Sequence, residues 1–186
     1  MRLPPGAAIG AATLLLLVPG CGATSGGGHG DAAAARALQD YVRRIEPPRL
    51  AVNRLLKGAD PILGAYRRHR ISAPVAQTRL RRLERRFAAY GARVGAIDAS
   101  AVPGLRAAHA GYAHSYVLED RYLRALVAAL PRRRYDRLPR TARIQRAAIV
   151  RWRVRLFALA RRAGVRLSAD LEIAGRGEIA PSPEGD

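Results

Sequence analysis

The chain has 186 residues, which is enough for one compact domain but not comfortably for two. Its formal charge of +19 comes from 33 basic residues against 14 acidic ones, and Lys57 is its single lysine. A GC-rich genome also produces such a preference for arginine over lysine, so the arginine count is not by itself a sign of binding. A net charge this large nevertheless attracts polyanions whatever the fold.

The first twenty residues have the layout of a secretory signal. Arg2 supplies a positive start, residues 7–18 form a largely apolar run, and Pro19 and Gly20 end it. A spanning helix needs roughly 20 apolar residues, so a permanent membrane span is the weaker interpretation. We therefore predict that residues 1–20 are a signal peptide and that the protein is exported.

The single cysteine directly follows this run. Val18-Pro19-Gly20-Cys21 resembles the lipobox of bacterial lipoproteins, in which the cysteine thiol receives a diacylglyceryl group and becomes the mature N-terminus. The resemblance covers the leader alone, and it implies that Cys21 is lipidated and that the protein is held at the cell membrane or envelope, outside the cytoplasm. Residues 21–30 are rich in glycine and predict a flexible tether. The alternative is a signal peptide cleaved elsewhere, with Cys21 incidental.

Residues 31–167 follow the three- and four-residue spacing of amphipathic helices, and no convincing alternating strand pattern occurs. We predict an all-α fold, arranged as an antiparallel up-down four-helix bundle, with an extended coiled coil as the alternative. Pro47-Pro48 is expected to break or kink the first helix, and Gly58 is expected to end the piece that follows. The pattern continues in the same phase to about Arg70. The apolar seams of the other three helices run from Ala76 to Ile97, from Leu105 to Leu130 and from Ala142 to Ala163.

The seam of the third helix is unusual at its centre, where His109, Tyr112, Tyr116 and Glu119 take four successive positions. Leucines on either side of them place the four residues in the interior, where pKa values shift and ligands bind. We treat them as candidate ligand-binding residues of a small-ligand-binding bundle. The alternative is a buried hydrogen-bond network that only fixes the register of the helices.

Motifs for catalysis are missing from the sequence. It has no Gly-x-Ser-x-Gly element, no phosphate-binding Gly-x-x-x-x-Gly-Lys loop and no cysteine pair. Neither Glu84 nor Glu119 has a histidine three residues later, and His109 and His114 point about 140° apart on a helix, so they do not bind one ion together. We predict no catalytic residues, no metal site and no cofactor, and therefore a protein that is not an enzyme.

Basic clusters are the remaining candidates for binding. Aromatic residues that stack on bases are not interleaved among them, and export argues against nucleic acid as a partner. We expect anionic lipid or wall polymer instead, and a solvated helix surface is the alternative. The candidate anion-binding residues are Arg79, Arg82, Arg86, Arg151, Arg155 and Arg162.

The last stretch, residues 168–186, is acidic relative to the rest and lacks periodicity, so we predict a disordered tail. Together, these features predict an exported, lipid-anchored envelope protein of non-enzymatic binding or structural type. Its partners are the membrane, through the N-terminal lipid, and an anionic lipid or wall polymer.

Overall fold

A computed structural model describes residues 27–172 and 178–185 of the chain. The predicted signal peptide and Cys21 lie outside these residues. The described part consists of helices and their connections, without a β-strand, so the predicted all-α class is confirmed. In this part of the chain, no helix is long and apolar enough to cross a membrane.

The helices follow one another through short connections. They are α1 (Gly27–Lys57), α2 (Ala59–Arg67), α3 (Ala73–Gly95), α4 (Arg106–Ala129), α5 (Ala142–Arg162) and α6 (Ala169–Glu172). Two single 3₁₀ turns, Leu130–Arg132 and Tyr135–Arg137, connect α4 to α5. Gly164 ends α5 at a φ of +64°, and the next residue, Val165, donates its N–H to the carbonyl of Ala160 at 2.9 Å. This is the Schellman arrangement, which favours glycine at the position of positive φ.

α1 ends directly before Gly58, as predicted, but the break predicted at Pro47-Pro48 is wrong. α1 runs through both prolines to Lys57. Each proline deprives the helix of one backbone hydrogen bond, but Ile45 and Val52 on either side of them are fully buried in one core. Packing of both halves on the same core outweighs that loss, because tertiary contacts supply most of a helix's stability.

The core lies between four long helices. α3 packs against α1, α2 and α4, while α5 packs against α4 and also contacts α1. The α4 seam from Leu105 to Leu130 is buried at every position, as its spacing predicts. This burial brings the polar stripe at the centre of α4 into the interior.

The described part of the tail is packed against the helices. Ala169–Glu172 form α6, and Glu178 and Ala180 are buried. This arrangement differs from the disorder predicted for residues 168–186. The described tail is held both by burial of Leu171 and Ala180 in the core and by hydrogen bonds to buried side chains, and such scattered contacts leave no periodicity in a sequence.

Candidate functional site

The four stripe residues, His109, Tyr112, Tyr116 and Glu119, are all buried on α4. Their partners come from different parts of the chain, namely α1, α5 and the tail. The stripe therefore divides into three groups of contacts: one around His109, one around the two tyrosines and one around Glu119.

The first group is a chain of hydrogen bonds from α5 through α1 to α4. Nε1 of Trp152 donates to the hydroxyl oxygen of Tyr41 at 2.7 Å, and that hydroxyl lies 3.0 Å from Nδ1 of His109. The Tyr41 oxygen accepts a hydrogen bond from Trp152, which leaves the hydroxyl proton of Tyr41 available for Nδ1 of a neutral His109. A ring nitrogen accepts a hydrogen bond only in the neutral imidazole, and burial, which lowers the pKa of His109, favours that uncharged form.

Stability is expected to depend on pH through His109. Burial lowers the pKa of His109, and the carbonyls of Ile97 and Val94 and the charge of Asp98 oppose this shift only in part. With a folded pKa below the unfolded value, the unfolded chain binds the proton first as the pH falls, so stability is lost below about pH 6.5. We expect the free energy of unfolding, measured by urea denaturation at several pH values, to decrease in that range.

A matched pair of variants isolates this contribution. His109→Gln keeps an acceptor for the Tyr41 hydroxyl but does not titrate, so the fall in stability below about pH 6.5 should become shallower. His114→Gln, at an exposed position of the same helix, is the matched control for the substitution itself. Burial raises the pKa of Glu119, so protonation of this residue favours the folded chain as the pH falls and opposes the effect of His109. The effect of His109 is therefore measured as the difference between His109→Gln and the parent. Equal profiles for His109→Gln and the parent would contradict the prediction.

The second group joins the two stripe tyrosines to the tail, and we call Arg49, Tyr112, Tyr116 and Glu178 the carboxylate cluster. The hydroxyl of Tyr112 donates to Oε2 of Glu178 at 3.0 Å, and Nη1 of Arg49 donates to Oε1 at 3.2 Å. The tyrosine hydroxyl oxygens are 2.8 Å apart, so Tyr116 donates to Tyr112, whose proton is already engaged. Burial raises the pKa of both tyrosines and keeps them protonated as donors.

The third group surrounds Glu119. Nε2 of Gln145 donates to Oε2 of Glu119 at 2.7 Å, and the backbone N–H of Ala180 donates to Oε1 at 2.8 Å. The same Gln145 nitrogen lies 3.2 Å from the carbonyl of Ser115. Burial raises the pKa of Glu119, and the two hydrogen bonds oppose that shift. Both carboxylate oxygens of Glu119 are therefore engaged within the chain.

A cavity of about 930 Å³ lies between the tail, the C-terminal end of α1, α2 and the adjoining parts of α4 and α5. Glu119 and Gln145 line it, whereas His109, Tyr112 and Tyr116 do not. The structure thus separates the stripe: one of its four residues reaches the cavity and three lie in the core. The other charged residues of the lining are Lys57, Asp60, Arg67, Arg140 and Arg146.

A groove of about 600 Å³ lies where α3 faces the junction of α1 and α2. Arg79, Arg82 and Arg86 of α3 line it together with Arg54 of α1, and we call these four residues the arginine groove. Apolar atoms share the lining through Leu55, Ile62, Leu83 and Tyr90. No ion pair between these four guanidinium groups and an acidic side chain is formed within residues 27–172 and 178–185.

Arg54 is the groove residue that the sequence does not reveal. The three α3 arginines share a face by their spacing, which one helix is enough to show. The proximity of Arg54 depends on how α1 is placed against α3, and no local pattern encodes it.

The candidate arginines of α5 lie away from the groove. Nε of Arg155 donates to the carbonyl of Gly104 at 2.8 Å and so holds the connection that precedes α4. Nε of Arg162 lies 3.3 Å from the carbonyl of Ala158 in its own helix, and Arg151 is exposed. The structure therefore brings together three of the six predicted anion-binding residues and leaves the other three apart.

No family model matches this chain, and no curated protein or solved structure matches it. Within the described residues, no three His, Cys, Asp or Glu side chains come together in a group that could hold a metal ion. The arginine groove and the cavity are two open features of the described residues that can bind a ligand.

Proposed function

We propose that this protein is an exported, lipid-anchored helical protein of the cell envelope that binds a phosphate-bearing anionic lipid or wall polymer and is not an enzyme. The arginine groove carries the proposal. Four arginines from two helices line it, and none of them forms an ion pair with a described acidic side chain. Guanidinium matches the geometry of phosphate and binds it through paired hydrogen bonds, so phosphate is the ligand chemistry that the groove favours.

The envelope location rests on the first thirty residues of the sequence. The apolar run before Cys21 and the glycine-rich tether after it support lipidation at that cysteine. Mass spectrometry of the mature protein tests this step. We expect Cys21 as the first residue, with a mass increase of a diacylglyceryl group or more, and an unmodified Cys21 or a retained leader would overturn it.

We propose that the fold is an antiparallel up-down four-helix bundle. The four helices of this bundle are α1, α3, α4 and α5, and α2 extends α1 after the break at Gly58. Contacts of α3 with α1 and α4, of α4 with α5, and of α5 with α1 support this proposal, since they close a ring around one core. The short connections between successive helices favour antiparallel neighbours.

The arginine groove is expected to control binding to anionic membranes. Replacing Arg79, Arg82 and Arg86 together by glutamine should weaken binding to phosphatidylglycerol vesicles by about 100-fold, since each basic residue at such a surface contributes about 1 kcal/mol. Co-sedimentation of the chain expressed from residue 22, without its lipid, measures this at low and at physiological salt. Phosphatidylcholine vesicles should bind neither protein.

A second triple variant separates the groove from net charge. Arg143, Arg151 and Arg161 are exposed on α5, and their replacement by glutamine removes the same charge at a distance from the groove. We expect this variant to retain most of the binding of the parent. Equal losses in the two variants would show that charge alone drives binding, and no binding by the parent at low salt would overturn the proposed function.

A second candidate function is the binding of a small anionic molecule in the cavity. Its volume falls within the range of roughly 300–1,000 Å³ that ligand pockets occupy, and Glu119 and Gln145 of the polar interior reach it. The cations of its lining outnumber the carboxylates of Asp60 and Glu119, which favours an anion. Thermal melting with added inorganic phosphate distinguishes the two sites. If phosphate raises the melting temperature by binding in the cavity, Arg140→Gln/Arg146→Gln should remove that rise, whereas the groove variant should retain it.

A further inference from the structure

Glu178 is bound by residues that belong to other elements of the fold. Its carboxylate receives hydrogen bonds from Arg49 of α1 and Tyr112 of α4. The side chains of Arg49 and Glu178 are each 1% exposed, so this contact is fully desolvated. The tail therefore supplies the carboxylate, and the helices supply the groups that bind it.

The tyrosines of the carboxylate cluster are packed against other residues of the core. The ring of Tyr112 stacks on Trp152 with centroids 4.0 Å apart, and the ring of Tyr116 stacks on Phe87 at 5.6 Å. Arg49 projects from within α1, eight residues before the end of that helix. These ring contacts come from α3 and α5 and not from the tail, so the two tyrosines have packing partners that do not depend on Glu178.

Arg49 also has donors that the described residues of the tail do not use. Its Nη1 is the atom that donates to Glu178, whereas its Nε and Nη2 are buried without a hydrogen-bond partner among residues 27–172 and 178–185. A buried donor left unpaired costs free energy, and a guanidinium group can bind a carboxylate through two parallel hydrogen bonds. The site therefore has the capacity to hold a carboxylate more strongly than it holds Glu178.

We propose that Arg49, Tyr112 and Tyr116 form a carboxylate-binding site, occupied in this structure by the chain's own Glu178 and able to accept the carboxylate of a separate ligand in its place. The ligand class is a monocarboxylate, carried by a small organic acid or by an acidic peptide. This site is distinct from the arginine groove, where the favoured ligand chemistry is phosphate. The tail then acts as an internal competitor for that ligand.

Acetate rescue of a Glu178→Ala variant tests the proposal. The substitution removes the carboxylate and leaves Arg49 buried without its anion, so the variant melts at a lower temperature than the parent. Added acetate should fill the site and raise the melting temperature of Glu178→Ala progressively with concentration, because a ligand that binds the folded state stabilises it. Chloride at equal ionic strength should not, and the melting temperature of the parent should rise less because acetate must first displace Glu178.

Glu184→Ala is the matched control, since Glu184 is an exposed glutamate of the same tail. It should show no specific response to acetate. A peptide of residues 178–185 distinguishes the two carriers: rescue by acetate and peptide shows that the carboxylate is sufficient, and rescue by the peptide alone shows that its neighbours are needed. No rescue by either, or the same acetate response in Glu178→Ala and Glu184→Ala, would overturn the proposal.

The parent chain provides a test that does not depend on the folding of Glu178→Ala. Displacement of Glu178 by acetate should free the tail and accelerate its cleavage within residues 178–185 by proteinase K. Chloride at the same ionic strength serves as the control for the protease and for salt. Cleavage at equal rates in acetate and chloride, together with a Glu178→Ala variant that acetate does not stabilise, would rule out the site.

Discussion

Trp152→Ala is expected to lower the free energy of unfolding by about 3–5 kcal/mol, the range for removing a large aromatic side chain from a core. Trp152 is fully buried, and its ring stacks on Tyr112 with an interplanar angle of 12°. Its Nε1 also supplies the hydrogen bond that orients the Tyr41 hydroxyl towards His109. Because domains have about 5–15 kcal/mol of stability in total, this loss takes a large part of it. Urea denaturation followed by far-UV circular dichroism measures the change.

Two further variants separate the contributions of Trp152. Trp152→Phe keeps an aromatic ring for stacking but removes the N–H, so it should cost less than Trp152→Ala, about 1–3 kcal/mol for the smaller ring and the lost donor. Val154→Ala, on the same helix at a side chain that is 61% exposed, should stay within about 0.5 kcal/mol of the parent. If Trp152→Ala is no more destabilising than Val154→Ala, the ring does not contribute to the core as described.

The interior face of α4 is the part of the fold that could be predicted most completely. Leu105, His109, Tyr112 and the residues that follow at the same spacing are all buried, because the periodicity of one helix is a local property. The continuity of α1 through Pro47 and Pro48 could not be predicted in the same way. It depends on the burial of Ile45 and Val52 against other helices, and that contribution exceeds the local cost of the prolines.

In the candidate sites, too, the spacing of residues within one helix could be predicted from the sequence, whereas contacts between distant residues could not. The spacing of Arg79, Arg82 and Arg86 predicts a shared face, but the addition of Arg54 requires the contact between α1 and α3. The buried position of Glu178 is harder still to predict, because an acidic residue in a polar tail looks like a solvated one. Its burial depends on Arg49, which is 129 residues away in the sequence.

The buried pair of Arg49 and Glu178 should be asymmetric in its response to substitution. Glu178→Met leaves the guanidinium group of Arg49 in the interior without an anion, and breaking a buried ion pair in this way costs about 3–5 kcal/mol. Arg49→Met leaves the carboxylate unpaired instead. Since Glu178 lies in the tail, that segment can leave the helices and return the charge to water, so Arg49→Met should cost less. Urea denaturation gives both values, and hydrogen exchange at residues 178–185 should increase in Arg49→Met.

The double variant Arg49→Met/Glu178→Met distinguishes a cost of unpaired charge from a cost of lost contacts. With both charges gone, no desolvated ion remains, and apolar side chains can replace a buried ion pair without loss of stability or with a gain. We therefore expect the double variant to be more stable than Glu178→Met alone, with a coupling free energy between the two sites of about 2 kcal/mol or more. Additive effects of the two substitutions would mean that the residues do not share a desolvated contact, because neighbours that interact in a dry interior cannot be independent.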